Sequence, residues 1–269
     1  MAEYLGIDVS EHNGIINWEK VKASGVQFAM IRAGYGQGNI DKRFQFNISE
    51  CNRLGIPCGV YWFSYALNAT AAKREAQYVL GAIKPYKLEY PIAFDFEYDS
   101  VEYAKKKGVT ITKALASDIT RAFCNEIEAA KFYALNYTNQ DYLSRYFDAD
   151  VAAKYGIWLA SWNNKAQPPR DCQIWQYTSS GKVDGISGNV DMNKCYIDFP
   201  AKIKSAGLNG FKSEVKTMTD TEKAEQWAVN VGLIKGYGNG NYGWKDALTR
   251  GQMAMILYRF YELLKSGKL

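Results

Sequence analysis

The sequence predicts an α/β chain: an irregular TIM-like barrel of five βα units followed by three strands with few helices, and then a small, mostly helical C-terminal domain. Three observations carry this. Strand-like and helix-like stretches alternate as far as residue 146, the connections shorten after residue 157, and a stretch weakened by Gly207, Asn209 and Gly210 sets off a basic tail.

In chain order, Tyr4–Ser10 reads as a strand and Trp18–Ser24 as a short helix. Phe28–Ala33 is a strand and Arg43–Leu54 a helix; Cys58–Ser64 is a strand and Ala69–Ile83 a helix closed by Pro85. Pro91–Tyr98 is a strand. Lys113–Ala130 is a long helix, because Leu115, Ile119, Phe123 and Ile127 recur every fourth residue and form one apolar stripe. Phe132–Tyr137 is a strand, followed by a short helix near Gln140–Tyr146. Ile157–Trp162, Cys172–Tyr177 and Gly188–Asn193 are strands with gaps too short for crossover helices. Asn163, Asn164, Pro168 and Pro169 mark one turn, and Ser179, Ser180 and Gly181 another. Eight strands with five helices read as a barrel whose last strands lack theirs. The expected division is a catalytic barrel at 1–200, a linker at 201–210 and a separate unit at 211–269.

Composition narrows the function. Of 269 residues, 47% are hydrophobic, enough to fill a real core, and 14% are aromatic, including 20 Tyr and 7 Trp, residues whose flat faces and polar edges suit sugar rings as well as cores. Residues 201–269 hold 11 Lys and Arg against 6 Asp and Glu, so the formal charge of +5 lies wholly in the tail; an anionic partner is expected there. The tail has no Arg/Lys run interleaved with stacking aromatics, which argues against nucleic acid. Five cysteines (Cys51, Cys58, Cys124, Cys172 and Cys195), odd in number and scattered, argue against a disulfide framework. His12 is the only histidine and reads as a turn residue; without a His or CxxC cluster, no metal or other cofactor is expected. Met1–Ser10 has neither a basic run nor a long apolar stretch, so we expect no signal peptide, no transmembrane helix and no membrane partner.

The chemistry concentrates in Ile92-Ala93-Phe94-Asp95-Phe96-Glu97-Tyr98. Side chains alternate along a strand, so Ala93, Asp95 and Glu97 share a face, and in a barrel that face is the interior. Two carboxylates at this spacing have Cα atoms roughly 6.5–7 Å apart. Like charges that close raise at least one pKa, as a general acid requires. Asp8 lies near the end of the first strand and Asp191 near the end of the eighth, strands that adjoin in a closed barrel. Each is weak alone, since Asp favours turns. Four acids at one mouth suit a cation-like transition state. Tyr35, Tyr61, Trp62, Tyr137, Trp175 and Tyr177 fall at strand ends and are candidates to line a sugar groove.

These residues resemble glycoside hydrolase family 25, the lysozymes of bacteria, phages and fungi. The matching stretches are Gly6–Ser10 with Asn13-Gly14 and Asn17-Trp18, Ile31–Tyr35, Gly59–Phe63, Asp95-Phe96-Glu97, Ile174–Tyr177 and Val190–Asn193, covering nearly all of residues 1–195 in order. The resemblance implies a muramidase that hydrolyses the β-1,4 bond between N-acetylmuramic acid and N-acetylglucosamine in peptidoglycan. It implies Glu97 as general acid/base and Asp95 as the partner carboxylate, which either orients the substrate's 2-acetamido group or stabilises the transition state directly. Asp8 and Asp191 match supporting acids, and Tyr61 and Tyr137 contacts to substrate.

The tail resembles a surface-layer homology motif through Met218-Thr219-Asp220, Trp227-Ala228, Gly232–Gly240 and Leu248-Thr249-Arg250 running into Met253–Tyr261. That implies binding of an anionic secondary wall polymer by Asp220, Trp244, Thr249 and Arg250. Such motifs usually work in threes and one is visible, so either the module departs from the pattern, or copies associate between chains, or the fold alone is retained; because a single helix pair of this size struggles to bury a core alone, we expect a homo-oligomer through this module. Together these readings give a phage endolysin, made in the host cytoplasm and acting on the wall of a Gram-positive host after the membrane is permeabilised; the alternatives are an autolysin or a non-catalytic wall-binding protein.

Overall fold

The computed structural model describes residues 3–162, 168, 170–212, 219–238 and 241–267. Asn163, Asn164, Pro169, Met218, Asn239 and Gly240, used above as landmarks, lie outside them. The chain forms two compact units, Met1–Glu214 and Val215–Leu269.

The first unit contains β1 (Tyr4–Val9), a 3-10 turn (Glu11–Asn13), α1 (Trp18–Ala23), β2 (Phe28–Tyr35), β3 (Asn39–Ile40), α2 (Phe44–Leu54), β4 (Cys58–Phe63), α3 (Ala69–Ile83) and β5 (Ile92–Asp95). It continues with α4 (Tyr98–Lys106), α5 (Lys113–Ala129), β6 (Ala134–Asn139), α6 (Gln140–Arg145), α7 (Ala149–Tyr155), β7 (Ile157–Ala160), β8 (Ile174–Gly181), β9 (Val190–Cys195) and α8 (Phe199–Ser205). Sheet order is β1-β9-β8-β7-β6-β5-β4-β2, closed by β1 on β2, with β3 hairpinned onto β2. The eight-stranded α/β barrel expected from the alternation is therefore present.

Alternation along the strands builds two cores. Outward side chains such as Ile7, Val9, Ile31, Val60 and Phe94 meet the helices, and α5 contributes Ile119, Phe123 and Ile127, with Leu115 half-buried. The α5 stripe is held in place by its N-cap, Thr112, whose hydroxyl accepts from Leu115 N at 3.2 Å. Inward side chains, among them Phe28, Met30, Ala93, Leu135, Trp158 and Ile174, fill the barrel. Gly6 faces that interior, where a Cβ would stand 2.3 Å from the Phe28 ring.

Several expectations need correction. Residues 201–210 are not a linker: α8 buries Phe199 and Ile203 in the inner core, and Asn209 Nδ2 donates to Leu88 and Tyr90 carbonyls at 3.1 and 3.0 Å. Ser179, Ser180 and Gly181 extend β8 rather than turning it, because β9 pairs as far as Gly181. The expected strand Pro91–Tyr98 stops at Asp95, since the chain turns there into α4. Helices α4 and α7 were not expected; both are short, and neither carries a long apolar stripe. Finally, β9 runs antiparallel to β1 and β8. All five thiols are free.

One buried acid lies outside the barrel mouth. Glu75 on α3 is fully buried; its Oε1 accepts from Tyr65 N at 3.0 Å and Gln37 Nε2 at 3.4 Å, while Oε2 has no partner among the described residues. Burial pushes its carboxyl up to about 8. An unfolded glutamate loses its proton near ~4.3, so between that pH and about 8 the folded chain binds the extra proton and stability falls as pH rises. Glu75→Gln keeps the acceptor and cannot ionise. Thermal melts at pH 5 and pH 8 are expected to show a smaller loss of Tm in the variant, the difference corresponding to a few kcal/mol, on the order of the ionisation cost. Equal losses would refute this.

The second unit holds α9 (Asp220–Asn230) and α10 (Arg250–Lys265), each opened by a capping box, at Thr219 with Glu222 and at Thr249 with Gln252. Its one buried apolar side chain among the described residues is Ala228, and α10 buries none.

Candidate active site

Four carboxyl groups converge at the mouth formed by the C-terminal ends of the parallel strands. Asp8, on the inner face of β1, stands directly opposite Asp191 of β9. The sequence reading placed Asp191 near the end of its strand; it lies near the start, and the reversed direction of β9 brings it to the same mouth. Asp95 ends β5 on the inner face. Glu97 is not in the strand but at the N-cap of α4, with extended backbone (φ −128°, ψ −169°) that preserves the alternation, so Phe96 packs outward and Glu97 turns inward. Ser100 Oγ accepts from Glu97 N at 3.1 Å and fixes that turn.

Burial governs the electrostatics. Asp8 Oδ2 accepts from Asn193 Nδ2 at 2.7 Å and Gln176 Nε2 at 2.9 Å, yet desolvation, with Asp191 opposite, pushes its carboxyl up to about 8. Asp191 is also raised by burial, and its hydrogen bond with Asp8 pulls the other way. Desolvation raises Asp95 well above the usual carboxylate range, with Glu97 and Asp8 adding to it, and Asp95 Oδ1 is buried with no partner among the described residues. Glu97 is raised by burial and restrained by hydrogen bonds with Tyr137 and Asp95. Burial and mutual repulsion thus both oppose ionising the two members of the Asp95–Glu97 pair together.

Below the acids, Tyr61 and Tyr137 stand edge-on to Trp158, with ring centroids 5.8 and 4.8 Å apart. Trp158 Nε1 donates to Asn193 Oδ1 at 2.8 Å. Gln176 Oε1 accepts from the Tyr137 hydroxyl at 3.1 Å and from Trp162 Nε1 at 3.0 Å, while its amide holds Asp8. The predicted residues brought together are therefore Asp8, Asp95, Glu97, Asp191, Tyr61 and Tyr137, with half-buried Tyr35 near the rim, its ring under Arg32.

Trp62, Trp175 and Tyr177 point the other way. Trp62 is buried among the outer core residues and donates to Gly36 O at 3.2 Å. Ile174 and Gln176 face inward, so Trp175 and Tyr177 face out, where Trp175 Nε1 donates to Ser161 O. Sequence reasoning missed Arg32, Trp158, Trp162, Gln176 and Asn193. Strand parity was enough to choose Gln176 over its aromatic neighbours. No such signal existed for Trp162, beyond the strand and 61% exposed. His12 lies exposed in the 3-10 turn.

Within the second unit a cavity of about 530 Å³ is lined by Lys235, Tyr237, Tyr242, Trp244, Thr249 and Arg259, among others. Tyr242 and Trp244 stack at 5.8 Å. Of the residues expected to bind wall polymer, Trp244 and Thr249 line this cavity. Asp220 does not; it is exposed on α9 and paired with Lys223 at 2.9 Å. Arg250 is exposed at the start of α10 and does not line it either; Lys235 and Arg259 supply the cations there.

Known proteins match this chain mainly over its first unit. The family profile described as "Glycosyl hydrolases family 25" matches residues 7–186. Lysozyme M1 of Streptomyces globisporus is 30% identical over 204 residues, 70% of this chain and 66% of that protein. The modular autolysin LytC of Streptococcus pneumoniae, solved in complex with a synthetic peptidoglycan ligand, superposes with a TM-score of 0.65 at 33% identity, over 72% of this chain and 47% of that one. The CTP1L endolysin superposes with a TM-score of 0.66 over 96% of this chain and 99% of its own, at 20% identity, a likeness of fold. This chain thus spans about two thirds of Lysozyme M1 and under half of LytC.

Proposed function

This chain belongs to the glycosyl hydrolases of family 25, and from that premise we propose that it is an N-acetylmuramidase, hydrolysing the β-1,4 bond between N-acetylmuramic acid and N-acetylglucosamine in peptidoglycan. The observation that carries the proposal is the buried Asp95–Glu97 pair, both carboxyls raised by burial, with Asp8 and Asp191 beside it. Glu97 gives its proton to the glycosidic oxygen as the C–O bond breaks, and later takes one from the attacking water. Asp95, ionised, faces the positive charge that grows on the anomeric carbon, or orients the 2-acetamido group to meet it. Asp8 and Asp191 flank the pair, and Asp8 is held in place by Gln176 and Asn193. Tyr61 and Tyr137 form the floor, and exposed Trp162 offers a face for a sugar ring at the rim. The test is digestion of purified Gram-positive peptidoglycan, borohydride reduction and mass spectrometry. Reduced muramic acid ends support the proposal; reduced glucosamine ends or freed amines contradict it.

The full-length likeness in fold to the CTP1L endolysin supports a role in host lysis, acting on the wall once the membrane is permeabilised. Among the described residues no helix is long and apolar enough to cross a membrane. The second unit is proposed as a module of surface-layer homology type for an anionic wall polymer, with Tyr242 and Trp244 stacking on sugar and Lys235 and Arg259 meeting the charge. It is also proposed to self-associate. Met253, Leu257, Phe260 and Leu264 on α10 are all exposed and spaced four, three and four residues apart, the seam of a helix pair. A unit this small with so few buried side chains gains the apolar burial it lacks from a second copy. Light scattering should give a mass above the monomer at micromolar concentration, falling to the monomer in Leu257→Asp/Phe260→Asp; a monomeric wild type would contradict this.

A further inference from the structure

The buried amide of Gln176 joins three walls of the mouth. Its Nε2 donates to Asp8 Oδ2 on β1 at 2.9 Å. Its Oε1 accepts from the Tyr137 hydroxyl on β6 at 3.1 Å and from Trp162 Nε1, just beyond β7, at 3.0 Å. Chemistry decides which way round the amide sits. An indole N–H can only donate, so the atom facing Trp162 is the oxygen, and the nitrogen is left for Asp8. The main chain repeats the grip. Ser161 N donates to Gln176 O at 3.1 Å, and Trp175 Nε1 donates to Ser161 O at 3.0 Å. Both backbone groups of the residue before Trp162 are therefore fastened to β8, one by Gln176 and one by the outward-facing Trp175.

Trp162 is nevertheless 61% exposed. An exposed side chain ordinarily moves among rotamers and turns its polar atoms to water. Here a buried acceptor holds the indole by its edge, so the ring face stays open to solvent while its place relative to Asp8 and Tyr137 is set. A sugar stacks on such a flat apolar face, and a platform ordered beforehand binds it without the ordering cost that a mobile one carries. We infer that Gln176 is a positioning residue for substrate: it locks the Trp162 indole as a preformed stacking platform for a pyranose ring of the glycan strand, at a fixed place relative to Asp8. The inference rests on the muramidase reading above, in which Gln176 does no more than hold Asp8, and gives the same amide a second task. It also accounts for the residue type. A carboxylate at this point of β8 would repel Asp8, and an apolar side chain would take this acceptor from the Tyr137 hydroxyl and the indole; an amide serves a carboxylate with one end and two donors with the other.

The test separates the platform from its anchor. Trp162→Phe keeps an aromatic face and loses the indole N–H; Gln176→Met keeps the length and loses the amide. Soluble peptidoglycan fragments are titrated calorimetrically into both single variants and the double variant, all carrying Glu97→Gln so that nothing is turned over. Trp162→Phe is expected to raise Kd about fivefold when Gln176 is present and not to raise it further when Gln176→Met is already in place. Trp162→Ala, which removes the face as well, is expected to lose more than Trp162→Phe. With Glu97 restored, the Trp162→Phe loss should fall on KM rather than kcat, since the ring meets the sugar alike before and during bond cleavage. The free protein gives a second readout. In proton–nitrogen correlation spectra the Trp162 indole N–H, identified by its loss in Trp162→Phe, should exchange slowly with water, and fast in Gln176→Met. An unchanged Kd in Trp162→Phe, additive effects of the two substitutions, or an indole N–H that exchanges equally fast with and without the amide would overturn the inference. Coupled binding without release of muramic acid ends would bring down the muramidase reading alone; muramic acid ends released with uncoupled binding would bring down this inference alone. Fragments that do not bind at all would overturn it too.

Discussion

Glu97→Gln is expected to lower peptidoglycan turnover by roughly 10³-fold or more, leaving the fold and wall binding intact. Glutamine keeps the shape and an acceptor oxygen, so Ser100 still receives the Glu97 backbone N–H and α4 still starts at Tyr98. What disappears is the transferable proton. An alkoxide leaving from a sugar is a poor leaving group without an acid; Asp95 is assigned to the developing cation, and Asp8 is held by Gln176 and Asn193. A Glu97→Gln enzyme with wild-type rates would remove Glu97 from the mechanism. The control is pelleting on purified walls, which should match wild type.

Asp95→Asn is expected to cost about 10²–10³-fold in rate and, in the same protein, to raise Tm. The first effect follows from removing the charge that faces the developing cation. The second follows from burial. Asp95 is almost wholly buried, its Oδ1 has no partner among the described residues, and its carboxyl is raised well above the usual range by desolvation and by Glu97 and Asp8. A group whose folded pKa lies above its unfolded value withdraws stability as pH rises past the unfolded value, so at pH 7 the aspartate is a liability that asparagine relieves. The rise in Tm should therefore shrink as the pH is lowered toward 4. A variant that loses both activity and stability at pH 7 would show instead that Asp95 holds the barrel together. Glu75→Gln should raise stability at neutral pH through the same sign of effect without touching turnover, since Glu75 lies outside the mouth.

Much of this architecture was legible from residue spacing. Period-two alternation in Ile92–Glu97 placed the two carboxyls on one face, and the structure keeps them there even though the strand ends at Asp95, because extended backbone at Glu97 continues the alternation through a helix cap. Asp8 and Asp191 came together as expected, though by a route that spacing does not reveal: strand direction is set by pairing partners, and β9 runs backwards between β1 and β8. The aromatic assignments fared less well. Trp62, Trp175 and Tyr177 are aromatic and near strand ends, yet face selects between core and site, and each has the outward parity. Gln176 and Asn193 were invisible as chemistry because amides acquire a role only from what they hold. The supposed linker at 201–210 was a misreading of Gly207, Asn209 and Gly210: Asn209 adopts a left-handed conformation (φ 55°) to bind the barrel floor, a tertiary role that local composition cannot signal.

The central claim is that the Asp95–Glu97 pair drives hydrolysis of the bond after muramic acid. Digesting purified peptidoglycan in ¹⁸O-labelled water and reading the products by mass spectrometry tests it most directly. The label should enter new muramic acid reducing ends with wild-type protein and be absent with Glu97→Gln. Label entering glucosamine ends or peptide carboxyls, or muramic acid labelling that persists without the Glu97 carboxyl, would contradict it.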